Sequence, residues 1–522
     1  MSREPTPRTE TARRAPAAAG ERREEERAGR RAAERAERDA RWTRAARLAL
    51  YGSLGLTLLM TAILYATLVR RTHIEDDDTD YASMPSVIDL QGLVRIDTTA
   101  DRGSELEGAR YLAGLLAAEG IEAEIEELPG GKANLFAVLD GRSPELLVLH
   151  SHRDTDPIHR PDAWVEDPFG GTLRGPFIYG RGVFDMKSTT IAQLHAFVAA
   201  HHRAREEGPP ARSLALLATS SEETDSLLGT QRVLEQRPAF SERIWVVLTE
   251  GGVVEALDWD AIKHWGTSFA QKRYAPVRYY GPRREELEQL REALRTGAIG
   301  RRHGPPRWNA AAATFLESYR HTRQHPDIRE PLGDLEALLA DPALFERQPD
   351  FIKALFRNEL HGFEVRPAAP ASAGSEPRGE AWVLPLLLHL PPGATLEQAV
   401  AELLPTEQET PRLRREIEPP IGSGEASPVD HPAFVAIQEQ IRATHGDVPR
   451  GPFFLAFYAN DCRFFRAASK VCYGFQPFLL PGSDSATTAG PDERIALRGY
   501  VQGVELYVEL VERLLALPAP PK

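Results

Sequence analysis

The sequence predicts an α/β fold: a largely parallel sheet sandwiched by helices, with an inserted α+β lid domain and one N-terminal transmembrane helix. Three observations predict it. Short, continuously apolar runs alternate with amphipathic segments, as buried parallel strands alternate with crossover helices. A stretch past the middle breaks that alternation. One long apolar run near the N-terminus carries no charge.

Residues 1–44 come first. They are rich in Arg, Glu and Ala and have no apolar stripe with which to pack a core, which predicts a solvated tail. The many acids argue against a transit peptide. Residues 48–69, LALYGSLGLTLLMTAILYATLV, form the uncharged run. At about 1.5 Å per residue it spans a bilayer core of about 30 Å. Tyr51 and Tyr65 stand towards its ends, where aromatic rings favour the interface. Arg41, Arg44 and Arg47 precede the run, whereas Arg70 and Arg71 give way at once to EDDDTD. This asymmetry predicts a single-pass membrane protein with its N-terminus in the cytoplasm and its bulk outside.

Residues 85–264 read as the first part of a globular domain. The segment SELEGARYLAGLLAAEG has helical apolar spacing and stops at Gly120. NLFAVLD, ELLVLHSH, SLALLATSS and RIWVVLTEGG read as buried strands, and TTIAQLHAFVAAHHRA as a helix between them. Residues 265–405 read as the inserted lid, with a strand at APVRYYG, charged helices, a loop at RPAAPASAGSEPRG and a strand at AWVLPLLLHL. Residues 406–522 return to α/β character and end in the amphipathic helix VQGVELYVELVERLLAL.

Composition narrows the function classes. The 522 residues are 42% hydrophobic and 27% charged, with a net charge of −13, which argues against a nucleic-acid partner. Cys462 and Cys472 cannot build a disulfide framework or a four-cysteine zinc site. They read as two buried free thiols, with a single bridge as the other reading outside the cytoplasm.

Four polar clusters stand where strands end, the edge at which open α/β sheets gather ligands. In LLVLHSHRDTDP, His152 and Asp154 alternate on one strand and so point the same way. IYGRGVFDMKS sets Asp185 in a glycine-rich turn entering a helix. ATSSEETDS puts Glu222 and Glu223 just past a strand, where adjacent carboxylates repel unless a cation holds them. WVVLTEGG ends in Glu250. Any one cluster is commonplace; a solvated strand end explains it as well.

Their order and spacing together resemble the zinc metallopeptidase and aminoacylase family of carboxypeptidase G, carboxypeptidase S and succinyl-diaminopimelate desuccinylase (M20 peptidases). AWVEDPFGGTLRGPFIYGRGVFDMK is most similar to the carboxypeptidase S-like branch, and NDCRFFRAASKVCYGFQP also looks like the family's ending. The resemblance implies a fold of metallo-exopeptidase type and two Zn²⁺ ions bridged by Asp185. His152 and Glu250 would complete one site; Glu223 and a late histidine would complete the other. Asp154 would orient His152, and Glu222 would be the general base for hydrolysing a small peptide or an N-acyl amino acid. Trp164 and Phe169 are expected to pack the loop. The oligomeric state stays open.

The sequence also departs from that pattern. The stretch matching the late histidine reads AGPDER, with Ala489 in its place; Asp484 and His150 are the replacements the sequence offers. APVRYYG lacks the family's oxyanion histidine, and His389 stands where a substrate-clamping arginine is usual. These departures support a second reading, a catalytically impaired member acting as a binding or scaffolding module.

Overall fold

In the computed structural model the described residues are 29–30, 60, 79–101, 104–257, 261–323, 325–362, 364–368, 381–480, 482 and 486–519. The expected tail at 1–44 and membrane span at 48–69 lie outside them, apart from residues 29–30 and 60. Among the described residues no helix is long and apolar enough to cross a membrane. Residues 78–522 form one structural unit.

A hairpin opens the main sheet. β1 (Glu124–Leu128) and β2 (Lys132–Leu139) flank Pro129–Gly131, where Gly130 and Gly131 take φ of 76° and 75°, backbone that glycine adopts without a Cβ clash. The chain continues through β3 (Ser143–His152) and a small side sheet of β4 (Thr172–Arg174) and β5 (Phe177–Tyr179). It returns in β6 (Arg212–Thr219), β7 (Ile244–Thr249), β8 (Val253–Ala256) and β9 (Ile262–Gln271). A second sheet takes β10 (Arg273–Gly281), β11 (Glu359–Gly362), β12 (Arg366–Pro367), β13 (Trp382–Leu390) and β14 (Arg414–Ile417). β15 (Arg450–Leu455) and β16 (Val471–Gly474) complete the main sheet, and β17 (Arg494–Ala496) joins β5.

The main sheet runs β1-β2-β6-β3-β7-β16-β9-β15, with β8 on β9. Its centre, β6-β3-β7-β16, is parallel. Side chains alternate between two cores: Leu147 and Leu149 face one, Leu146 and Val148 the other. Helices Glu105–Ala118, Ser188–Glu207, Pro432–His445 and Leu497–Ala516 cover the first face. NLFAVLD differs from expectation. The Pro-Gly-Gly turn reverses the chain so that β2 pairs antiparallel with β1; it is antiparallel to β6 as well, and Val138 is 45% exposed.

The second sheet is antiparallel, with its own core of Val277, Leu287, Leu290, Leu384, Leu386 and Leu388. The expected boundary at 265 falls inside β9, which still pairs with β15 in the main sheet; the second sheet starts at Arg273. Helices between 310 and 356 also belong to the main core. Phe315, Leu316, Phe345 and Ile352 lie in it, and Phe315 meets Phe453 of β15 with ring centroids 5.1 Å apart.

The cysteines correct the thiol reading. Cys462 opens the helix Cys462–Ala467, Cys472 lies on β16, and the two form a disulfide. A helix turning straight back into a strand brings their Cα atoms to 5.4 Å, within bridging range.

Candidate metal centre

Because β6, β3 and β7 are parallel neighbours, their C-terminal ends lie side by side. His152 ends β3, Glu222 and Glu223 follow β6, and Glu250 follows β7. Asp185 arrives from the turn Val183–Lys187 at the start of the helix Ser188–Glu207. Ligand atoms of His152, Asp185 and Glu250 all lie within 4.8 Å of one another. His152 Nε2 is 3.4 Å from Asp185 Oδ1 and 3.6 Å from Glu250 Oε2. Asp185, Glu222, Glu223 and Glu250 share a cavity of about 430 Å³ with Phe184, Val253, Val254, Tyr458, Phe478 and Leu480.

These residues fit a cation. His152 is 1% exposed, yet neither its Nε2 nor Asp185 Oδ1 has a hydrogen-bond partner. Nature rarely leaves buried polar atoms unpaired without another claim on them. His152 Nδ1 faces the backbone carbonyl of Asp154 at 3.0 Å, so a proton there leaves a lone pair on Nε2, pointing at the two acids.

Charge crowding points the same way. Burial pushes Glu223 up to about 10, with Asp185 adding to the effect. Burial likewise pushes Glu222 up to about 7, against the pull of Arg463 3.6 Å away. Glu250 lies well above the usual carboxylate range, first from burial and then from the Asp185 charge. Burial disfavours the His152 cation, but the negative charge of Glu250 and of the neighbouring Asp154 and Asp185 carboxylates holds its pKa well above the usual imidazole value. Without a metal, protons fill the role of the missing positive charge.

Asp154 does less for His152 than expected. Its Oδ1 stands 3.6 Å from Nδ1, while its two oxygens accept the backbone N–H groups of Glu222 (3.0 Å) and Glu223 (2.9 Å). It therefore fixes the loop that carries both glutamates. His150 is fully buried among the hydroxyls of Thr249 (2.8 Å), Thr219 (3.0 Å) and Thr230 (2.8 Å), so both its ring nitrogens already have partners. Asp484 lies outside the described residues. Ala489 presents only a methyl group on left-handed backbone, φ 57°. His389 is stacked between His361 (4.0 Å) and Tyr274 (4.3 Å) in the second sheet. Trp164 lies under the Arg181 guanidinium at 5.3 Å, packing its loop.

Two residues were passed over in the sequence. Glu493, 1% exposed, pairs with Arg181 at 2.8 Å and accepts the backbone N–H groups of Gly182 (3.2 Å), Phe184 (3.0 Å) and Asp185 (3.4 Å). It shapes the turn that presents Asp185. Asn460 Nδ2 donates to the Glu250 carbonyl at 2.7 Å. Their signals, DER and ANDCR, were visible, but the partners lie hundreds of residues away.

Comparison with known proteins agrees with this architecture. The model of peptidase family M20/M25/M40 matches residues 148–513. Succinyl-diaminopimelate desuccinylase of Azoarcus sp. (strain BH72) is 36% identical over 175 residues, 32% of this chain and 44% of that protein. The same-named protein of Rhodospirillum centenum is 40% identical over 111 residues, 21% of this chain and 28% of that one. The chain thus spans less than half the length of these curated relatives. Among solved structures, an M20 family metallo-carboxypeptidase of Sulfolobus solfataricus has a TM-score of 0.60 at 17% identity, covering 83% of this chain and all of that one. Human carnosine dipeptidase 1 gives 0.57 at 14% identity, covering 83% and 97%. At these identities the likeness is one of fold.

Proposed function

Since the chain belongs to peptidase family M20/M25/M40, a family of metal-dependent peptidases and amidohydrolases, we propose that it hydrolyses an amide bond in a small peptide or N-acyl amino acid. The observation that carries the reading is the convergence of His152, Asp185 and Glu250 within 4.8 Å, with two buried ligand atoms unpaired. His152, Asp185 and Glu250 would hold one divalent ion, in our reading Zn²⁺, and Glu223 would take part in a second site with Asp185 as the bridge. A cation there supplies a Lewis acid for water and for the amide carbonyl.

The chain's own residues do the rest. Glu222 lies in the cavity wall beside the metal ligands. It accepts a proton from the attacking water and returns it to the leaving nitrogen. A base near neutrality is suited to both steps, and burial moves Glu222 in that direction. Asp154 anchors the Glu222 and Glu223 backbone, so the base and a ligand keep a fixed separation. We expect Glu222→Gln to lower kcat about 10²–10⁴-fold while leaving metal content unchanged. Equal turnover by both forms excludes Glu222 as the base.

A membrane tether at 48–69, with the hydrolytic domain outside the cytoplasm, is part of the same proposal. The Cys462–Cys472 bridge supports it, because disulfides persist in oxidising compartments. One observation favours the impaired-enzyme reading instead: the methyl of Ala489 where an imidazole is expected. Metal bound without turnover of any acyl-amino acid or dipeptide is the outcome that selects it.

A further inference from the structure

A second group of ligating side chains lies in the antiparallel sheet. Glu359 and His361 stand two residues apart on β11, so both side chains leave the same face. Glu359 is paired directly with His389 of β13, which puts that ring on the same face as well. Leu360 and Leu388, the next pair along, point the other way into the sheet's own core. One ligand atom from each of Glu359, His361 and His389 lies within 4.8 Å of the other two.

The surroundings leave these atoms short of partners. Glu359 is 3% exposed and His389 5%. His389 Nδ1 and His361 Nε2 are shut off from solvent, and neither has a hydrogen-bond partner. His361 Nε2 stands 3.8 Å from Glu359 Oε2, too far for a hydrogen bond. A third imidazole nitrogen, His303 Nδ1, is unpaired in the same way, 3.5 Å from Glu359 Oε1. Buried polar atoms are seldom left so without another claim on them. Lys272 and Arg357 work against a cation here. Lys272 Nζ donates to Glu359 Oε2 at 2.9 Å, and Arg357 Nε is 3.5 Å from Oε1. A carboxylate has about four lone-pair sites, so acceptor capacity remains, but the two positive charges repel an incoming ion.

We propose that Glu359, His361 and His389 form a further metal site, separate from the centre at His152, Asp185 and Glu250. Two imidazoles and one carboxylate select Zn²⁺ over Mg²⁺ or Ca²⁺, which take oxygen ligands. Lys272 and Arg357 set its affinity below that of the strand-edge centre, where acids outnumber bases. The site needs no hydrolytic chemistry and stands apart from the hydrolase reading.

The test is Zn²⁺ titration of the metal-free full chain by isothermal calorimetry. His152→Gln disables the strand-edge centre, so the binding that remains reports the site in the second sheet. The expected result is that His152→Gln still binds Zn²⁺, and that adding either His361→Gln or His389→Gln weakens this binding at least about tenfold. His361→Gln alone should spare the strand-edge binding. Thermal melts of the metal-free proteins check that each variant folds as the parent does, and His361, the least buried of the three, is the substitution easiest to accommodate. Zn²⁺ affinity unchanged by both histidine substitutions overturns the assignment, as does a well-folded His152→Gln that binds no Zn²⁺. Either failure leaves the strand-edge centre and its turnover, both measured in the parent, untouched.

Discussion

Glu493 shows how much of the site rests on a residue that touches no substrate. Its carboxylate is buried with Arg181 and carries three backbone N–H groups of the Asp185 turn. Glu493→Gln keeps the shape but removes the charge, leaving a buried guanidinium unbalanced. Breaking one side of such a pair costs about 3–5 kcal/mol, so we expect that loss in urea denaturation; a change below about 1 kcal/mol contradicts the role. His264 bears on pH. It is 1% exposed, and burial lowers its pKa from 6.5 to about 4. Between those values the unfolded chain binds a proton that the folded chain refuses, so stability falls as pH drops from 6.5 towards 4. His264→Phe should flatten that slope by up to about 1.4 kcal/mol per pH unit, measured by denaturation at stepped pH. At this scale His152, Asp185 and Glu250 were legible, because strand-end chemistry survives in a few adjacent letters. The true bond made by Asp154 was not, since its acceptors' partners are backbone groups on another strand's loop.

Strands and helices were read mainly from apolar continuity, and this worked where both faces are buried, as in β3, β6 and β7. It is silent at β1, where EIEEL has little apolar continuity and yet forms an edge strand whose Glu124 and Glu126 pair with Arg237 and Arg232. The PGG turn was the available signal. Apolar continuity failed for the 310–356 helices, whose apolar faces say that they pack but not on which sheet. The helix Cys462–Ala467 and β16 add a covalent tie that spacing left undecided. With a sequence separation of 10, the chain-entropy model assigns that loop about 2–3 kcal/mol. Replacing both cysteines by serine should therefore lower stability by at least that much, and the parent should show the same loss under reductant. No change under reductant means the bridge does not form.

Over the whole molecule, the decisive feature is that parallel strands deliver their C-terminal ends to one edge. Adjacent strands β3 and β7 bring His152 and Glu250 into contact range with Asp185, and β6 leads Glu222 and Glu223 to the cavity they share with Asp185 and Glu250. The sequence could specify that edge because the parallel arrangement follows from the alternation of strand and helix. It could not specify the antiparallel second sheet's start at Arg273, because β9 runs into β10 with only Lys272 between them and no turn signal. The central claim is that this edge is a metal centre. Anomalous diffraction from crystals grown with Zn²⁺ tests it most directly. The expected result is a zinc peak ligated by His152 Nε2, Asp185 and Glu250; zinc only at surface positions, with His152 and Asp185 left unligated, contradicts the claim.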